Sequence, residues 1–287
     1  MVSFSDYTDY MLKIDAHQHF WNYHEATHQW INDEMSVLKR DFLPPELEQL
    51  LTSANVNGSV AVQAHQSEDE TLFLLDLAEN FNFIKGVVGW VDFQSPELEE
   101  RLNYFSQYSK LKGFRHVVQD EPDDSFLLRD ALMKGVSLLS KHQFTYDILI
   151  YPRQLQATIL FVKQFPDQKF VVDHIAKPNI KKGESKSWSK LIAELAGCPN
   201  VWCKVSGMVT EADWEHWTYQ DMQPYLEHVF DSFGPERVMF GSDWPVCLLA
   251  GEYKQVKALF ESSISRFSDS QQTQMWGSNA VDFYGLK

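Results

Sequence analysis

The chain has 287 residues, 44% of them hydrophobic, which is enough for one large domain or two ordinary ones with a sizeable core. Its formal net charge of −15 argues against nucleic acid or an anionic membrane surface as a partner, because both attract basic proteins. Three cysteines, Cys198, Cys203 and Cys247, with no Cys-x-x-Cys pair, point to reduced thiols in a cytoplasm rather than to a disulfide framework. The opening MVSFSDYTDY has neither a basic nor a long apolar region, so no signal peptide is predicted, and no stretch is apolar for long enough to span a bilayer.

The first apolar run, KIDAHQHF (13–20), reads as a strand. Residues i and i+2 of a strand project the same way, so His17 and His19 share a face with Asp15. Such a pair can bind a metal, polarise a carbonyl, or serve as ordinary partly buried structure. A loop carrying Trp21 and Trp30 follows (21–43), and then PPELEQLLTSAN, whose prolines suit a first helical turn. GSVAVQAH (58–65) is the second strand, and DETLFLLDLAENF has the three- and four-residue apolar spacing of a helix. IKGVVGWVDF (84–93) and LKGFRHVV (111–118) are the third and fourth strands, and a loop at 119–124 leads to DSFLLRDALMKGVSLLSKH, read as one helical stretch. TYDILIY (145–151), KFVVDHIA (169–176) and VWCKVSG (201–207) continue the strands, followed by a loop with Trp214 and Trp217 (207–220). LEHVFDSFG ends on a helix-stopping glycine, RVMFGSDW (237–244) is the eighth strand, and SDSQQTQMW and SNAVDFYG are terminal helical segments.

Eight strand–helix units recurring at about 30 residues predict a (β/α)8 TIM barrel, a single domain spanning 1–287. The rival, an open doubly wound sheet, lacks support because no Gly-x-Gly-x-x-Gly follows the first strand. In such a barrel the chemistry sits at the C-terminal strand ends. The polar residues there are His17, His19, Gln63, His65, Arg115, His116, Tyr151, His174, Lys204, Ser206 and Asp243, with Asp147 four residues before Tyr151. Arg115 and His116 are on opposite parities, so only one of them faces the interior. The loop tryptophans either line a pocket or pack beneath the loops.

The segments HQHFW, GFRHVVQDEPD, VVDHIAKP and FGSDWPV together resemble the amidohydrolase superfamily, and in particular its sugar-lactone hydrolase branch, typified by L-fucono-1,5-lactonases, L-rhamnono-lactonases and dicarboxylate lactonases. The resemblance covers nearly the whole chain and implies a distorted barrel that hydrolyses a cyclic ester. The fourth strand of metal-dependent members supplies a Lys or Glu ligand and the fifth a His; here these strands end in Arg115–His116 and Tyr151, which argues against a binuclear centre. His17, His19 and Asp243 could still hold a single divalent ion such as zinc, with His174 nearby, whereas members of the lactonase branch are similar in needing little or no metal. Both possibilities stay open.

For opening a sugar lactone, Asp243 is the expected general base, its pKa raised by partial burial. His17, His19 and His174 are expected to polarise the carbonyl, as donors or through a bound metal. Gln63, Arg115, Tyr151, Trp30 and Trp244 are the expected substrate contacts, with Lys204 either a further one or a buried structural lysine. Cys247 is read as packing and Lys177 as shaping the loop before Pro178. The alternatives are a metal-dependent decarboxylase, a phosphoester hydrolase on the same barrel, and a non-catalytic ligand-binding barrel. No motif speaks to which sugar is bound or to the oligomeric state.

Overall fold

Short runs rich in valine, isoleucine and phenylalanine, each bounded by turn residues, become eight parallel strands in the computed structural model, which describes residues 11–287. The opening decapeptide, and with it the reading that no signal peptide is present, lies outside the described residues. The strands are β1 (Ile14–Gln18), β2 (Gly58–Val62), β3 (Ile84–Gly89), β4 (Leu111–His116), β5 (Thr145–Ile148), β6 (Phe170–Val172), β7 (Val201–Val205) and β8 (Val238–Phe240). They pair in sequence order, each with the next. The circle is completed beyond the strands: Gln18 and Trp244 form a parallel bridge, His19 N–H donates to the Trp244 carbonyl at 2.7 Å, and Asp243 N–H donates to the His17 carbonyl at 2.8 Å. The fold is the expected (β/α)8 barrel, distorted at this seam.

The main outer helices are α1 (Pro44–Ala54), α2 (Glu68–Asn80), α3 (Leu98–Phe105), α4 (Asp130–Val136), α5 (Leu155–Lys163), α6 (Lys186–Ala196), α7 (Tyr219–Phe233) and α8 (Tyr253–Ile264), followed by α9 (Asp269–Thr273) and α10 (Asn279–Tyr284). Local chemistry sets their ends. Ser67 caps α2 by accepting from the Glu70 N–H at 3.1 Å, and Thr218 and Asp221 form a capping box on α7. Among the described residues no helix is long and apolar enough to cross a membrane.

Two expectations shift. The stretch from Asp124 to His142 is not one helix: α4 is flanked by short 3-10 turns, and Arg129 between them is extended. The break lets Phe126 stack on His116 with ring centroids 4.7 Å apart, and the Arg129 guanidinium covers the same ring. The strands also stop earlier than predicted, so His174 and Asp243 lie just past β6 and β8 on irregular backbone.

Hydrophobic packing falls into two regions. The larger one lies between strands and helices. The smaller unites Val60, Val62, Val88, Val171 and Met239 with Phe283, Tyr284 and Leu286. Lys112 and Lys169, near the starts of β4 and β6, donate to the Gly285 and Asp282 carbonyls. The C-terminal helix thus covers the N-terminal mouth of the barrel and leaves chemistry to the other end. Phe283 packs on Trp202 with ring centroids 5.1 Å apart. Phe283→Ala is expected to lower stability by about 3–5 kcal/mol in urea unfolding, as for other buried large-to-small aromatic changes; an unchanged midpoint would show that α10 is not part of the core.

Candidate active site

His17 and His19 leave the end of β1 on one face, as their spacing requires, and aim Nε2 at a common point. That point is the carboxylate of Asp243. Its Oδ1 lies 3.3 Å from His19 Nε2, 3.7 Å from His17 Nε2 and 3.9 Å from His174 Nε2. All four side chains are nearly sealed: His17 is 0% exposed, His174 3%, and His19 and Asp243 4%.

Unusual backbone makes the convergence possible. Asp243 has φ +58°, and His174, Ile175, Ala176 and Lys177 form a consecutive left-handed run with φ between 47° and 61°. Such a conformation costs a non-glycine residue roughly 1–2 kcal/mol, so surrounding structure must hold it. Ile175 and Ala176 are fully buried, and Trp188 Nε1–H donates to the Ile175 carbonyl at 2.8 Å. Gly207 clears room for His174: a Cβ at that position would lie 2.5 Å from His174 Nδ1. Asp15, fully buried, braces the seam by accepting from Ser242 N–H at 2.8 Å and His17 N–H at 3.2 Å.

Hydrogen bonding assigns the His19 tautomer. Nδ1 is 2.7 Å from the Val62 carbonyl, which can only accept, so Nδ1 carries the proton and Nε2 a lone pair. A lone pair therefore faces the Asp243 carboxylate at 3.3 Å, an arrangement that calls for a proton or a cation between them. His174 Nδ1 is 2.9 Å from Ser206 Oγ; with Ser206 donating, Nε2–H is free to donate toward Asp243. Burial holds His17 well below its ordinary pKa and His174 down at about 4, so both are neutral at pH 7.

Asp243 corrects an expectation. Burial by itself would raise its carboxyl, as anticipated, but His174, His19 and His17 outweigh burial and hold it well below the ordinary carboxylate range. Ring N–H groups and imidazolium charge around one oxygen stabilise the anion more than lost hydration destabilises it, and the bare Nε2 of His19 joins them only with a proton or cation on it.

Beneath the histidines lies a buried charged lattice. Lys204 Nζ is 2.5 Å from Asp147 Oδ2, 3.0 Å from Asp173 Oδ1 and 3.1 Å from His17 Nδ1. Arg115 donates to Asp173 Oδ2 at 3.0 Å, to Gln63 Oε1 at 3.0 Å and to the Gln63 carbonyl. Tyr284 donates to Asp147 Oδ2 at 2.7 Å, tying α10 to the lattice.

Several expected substrate contacts are spent internally. Gln63 is fully buried on Arg115, and Arg115 is 3% exposed. Trp244 is fully buried, edge-on to Phe20 and Phe42, and has no surface to offer a ligand; its position directly after Asp243 on the seam turns its ring into the core. Trp30 is partly buried and stands edge-on to Trp21. His116 faces outward, paired with Glu121 at 2.8 Å, so Arg115 is the inward member of the pair. Of the loop tryptophans, Trp21 and Trp217 pack, while Trp214 lines a cavity. That cavity, of about 620 Å³, has Tyr151, Lys177 and Glu211 on its wall, and Lys177 joins it to the turn that carries His174. Lys177 closes the left-handed turn that carries His174, its N–H donating to the His174 carbonyl at 2.8 Å. The sequence reading missed Asp173, Glu211 and the structural role of Asp15; only the placement of Asp173 beside His174 signalled any of them.

The donor set fits a single metal ion. His17, His19 and Asp243 each offer one ligand atom, all within 4.8 Å of one another, and the bare Nε2 of His19 is backed by a carbonyl in the manner of a metal-ligating histidine. His17, Asp173 and His174 also lie within 4.8 Å of one another, but an ion there would meet the cations of Arg115 and Lys204, both paired with Asp173.

Known proteins resemble this chain over nearly its whole length. The family model for amidohydrolases matches residues 14–286. An L-fucono-1,5-lactonase of Burkholderia multivorans is 41% identical over 96% of both chains, and one of Burkholderia ambifaria is 37% identical over the same shares. The crystal structure of an amidohydrolase from Burkholderia multivorans with bound zinc superposes with a TM-score of 0.93 at 41% identity, covering 96% of this chain and all of that one. With a match from the first strand to the last helix, the chain belongs to the amidohydrolase family.

Proposed function

We propose that this protein is a lactonase that opens a sugar lactone to the aldonic acid in the cytoplasm, working as one domain. The observation that carries the reading is an ionised Asp243 encircled by three histidine nitrogens at the C-terminal end of the barrel. The relatives named as L-fucono-1,5-lactonases support the substrate class.

A lactone is an activated ester, so hydrolysis needs a water, an acceptor for its proton and a donor at the carbonyl oxygen. Asp243 takes the proton from the attacking water, its carboxylate held 3.3 Å from His19 Nε2. His174 Nε2–H, oriented through Ser206, donates to the oxygen on which negative charge develops. His17 is held in place by Asp173 and Lys204 and keeps the Asp243 anion in register. As the tetrahedral intermediate collapses, Asp243 returns the proton to the departing ring oxygen. His17, His19 and Asp243 are the residues that would hold a zinc ion. Such an ion, when bound, supplies Lewis-acid polarisation of the carbonyl and a more acidic water.

Three measurements test this reading. Acid release from a panel of six-carbon 1,5- and 1,4-sugar lactones is expected from the wild type, and Asp243→Asn is expected to lower kcat/KM by about 10²–10⁴-fold, the usual range for a lost general base; no opening of any lactone, or carbon dioxide release from hydroxybenzoates instead, would overturn it. Gly207→Ala drives a methyl group against His174 and is expected to reduce kcat on the order of 100-fold with circular dichroism retained; a wild-type rate would remove His174 from the mechanism. Calorimetric titration with zinc is expected to saturate at one ion per chain and to weaken at least ~10-fold in His19→Ala; two ions, or none, would contradict the assigned ligand set.

A further inference from the structure

Lys177 and Glu211 belong to no step above, yet both stand on the cavity wall. Lys177 lies three residues beyond His174 on the same left-handed turn, and Glu211 ends the short helical turn Val209–Glu211 after β7. Their side chains are 16% and 19% exposed, so each is largely dehydrated but still reachable from the cavity. The ammonium and carboxylate are 3.7 Å apart, close enough to balance charge but too far to be a hydrogen bond. Both groups therefore keep unused capacity: Lys177 has protons to donate, and Glu211 has oxygens to accept. The Lys177 ammonium lies 5.6 Å from the centre of the Tyr151 ring, and Trp214 is fixed nearby by its Nε1–H bond to the Thr210 carbonyl at 2.9 Å.

The rest of the wall offers no net positive charge: beside the paired cations it carries the carboxylates of Glu34 and Glu184. Arg153 is paired with Asp124, and Lys181 with Asp213 at 3.2 Å, at the solvent-exposed rim. Lys177 on the same wall is paired with Glu211, so a ligand with its own negative charge gains one attraction and meets the repulsion of the Glu211, Glu34 and Glu184 carboxylates. A polyhydroxylated neutral ring meets complementary groups instead: an acceptor and a donor within one hydroxyl spacing, and aromatic faces for its C–H surface.

We infer that Lys177 and Glu211 form a paired hydroxyl-recognition site that makes this cavity selective for neutral polyhydroxylated lactones over lactones bearing a carboxylate. The inference rests on the lactonase reading for the identity of the ring, but its test needs no turnover. Lactams of the same sugars keep the ring and hydroxyls and resist hydrolysis. Binding of a neutral polyhydroxylated δ-lactam and of its counterpart with a terminal carboxylate is measured by calorimetry in the wild type, Glu211→Gln and Lys177→Met. The wild type is expected to bind the neutral lactam at least tenfold more tightly. Glu211→Gln is expected to weaken the neutral ligand and to narrow its advantage over the anionic one, because a repulsion is removed. Lys177→Met is expected to weaken both ligands and to widen the gap. A purely structural role would move both ligands by the same factor in each variant, and that result, or equal wild-type affinity for the two lactams, would overturn the inference. Loss of lactone hydrolysis with the binding pattern intact would instead count against the catalytic reading alone.

Discussion

Everything at the catalytic end of this barrel depends on an ammonium group that has no access to water. Lys204 is fully buried between Asp147 and Asp173, and Asp173 is shared with Arg115. Two cations and two carboxylates balance, which is the condition for charges to exist in a dehydrated interior. The two carboxylates are not equivalent. Burial pushes Asp147 up to about 6 despite its contact with Lys204, whereas Lys204, His17 and Arg115 together overcome burial at Asp173 and hold it well below the ordinary range. Removing one member of such a lattice strands the opposite charge, at a cost of about 3–5 kcal/mol. The lattice is best understood as an orienting device: Asp173 and Lys204 hold His17 Nδ1 downward, and Arg115 stands 3.4 Å from the Nε2 that faces the site.

Above that lattice, the barrel seam and the reactive cluster are the same piece of backbone. The bonds that bring β1 to β8 run through His17, His19, Asp243 and Trp244. Closure of the barrel therefore positions the base against its histidines in a single step, and Asp15 secures the joint from below. The strained residues occur here too. Asp243 and the left-handed run from His174 to Lys177 adopt conformations that their own preferences oppose. Burial of Ile175 and Ala176, the Trp188 hydrogen bond and the space left by Gly207 hold them there. That turn serves two purposes, aiming His174 at Asp243 and Lys177 at the cavity.

The electrostatics follow from this geometry rather than from burial alone. A lone buried aspartate would be pushed toward neutrality, but three inward-facing imidazoles reverse the outcome at Asp243. The base is thus always ionised at working pH, and its reactivity depends on what sits between it and the bare nitrogen of His19. A proton or a divalent ion can occupy that place.

Local periodicity in the sequence determined the eight strands, the common face of His17 and His19, and the opposition of Arg115 and His116, because each depends only on the alternation of neighbouring side chains along a strand. The motif ends likewise marked His174 and Asp243 as groups at strand termini. Tertiary structure alone decided the rest: that Lys204 is shared by two aspartates from other strands, that Gln63 and Arg115 satisfy each other rather than a ligand, that Trp244 turns into the core, and that Glu211 comes beside Lys177. The polar pairings among these join residues 31 to 57 positions apart. They exist only once the barrel has closed in one register, and a contact set by closure leaves no periodic trace in the chain.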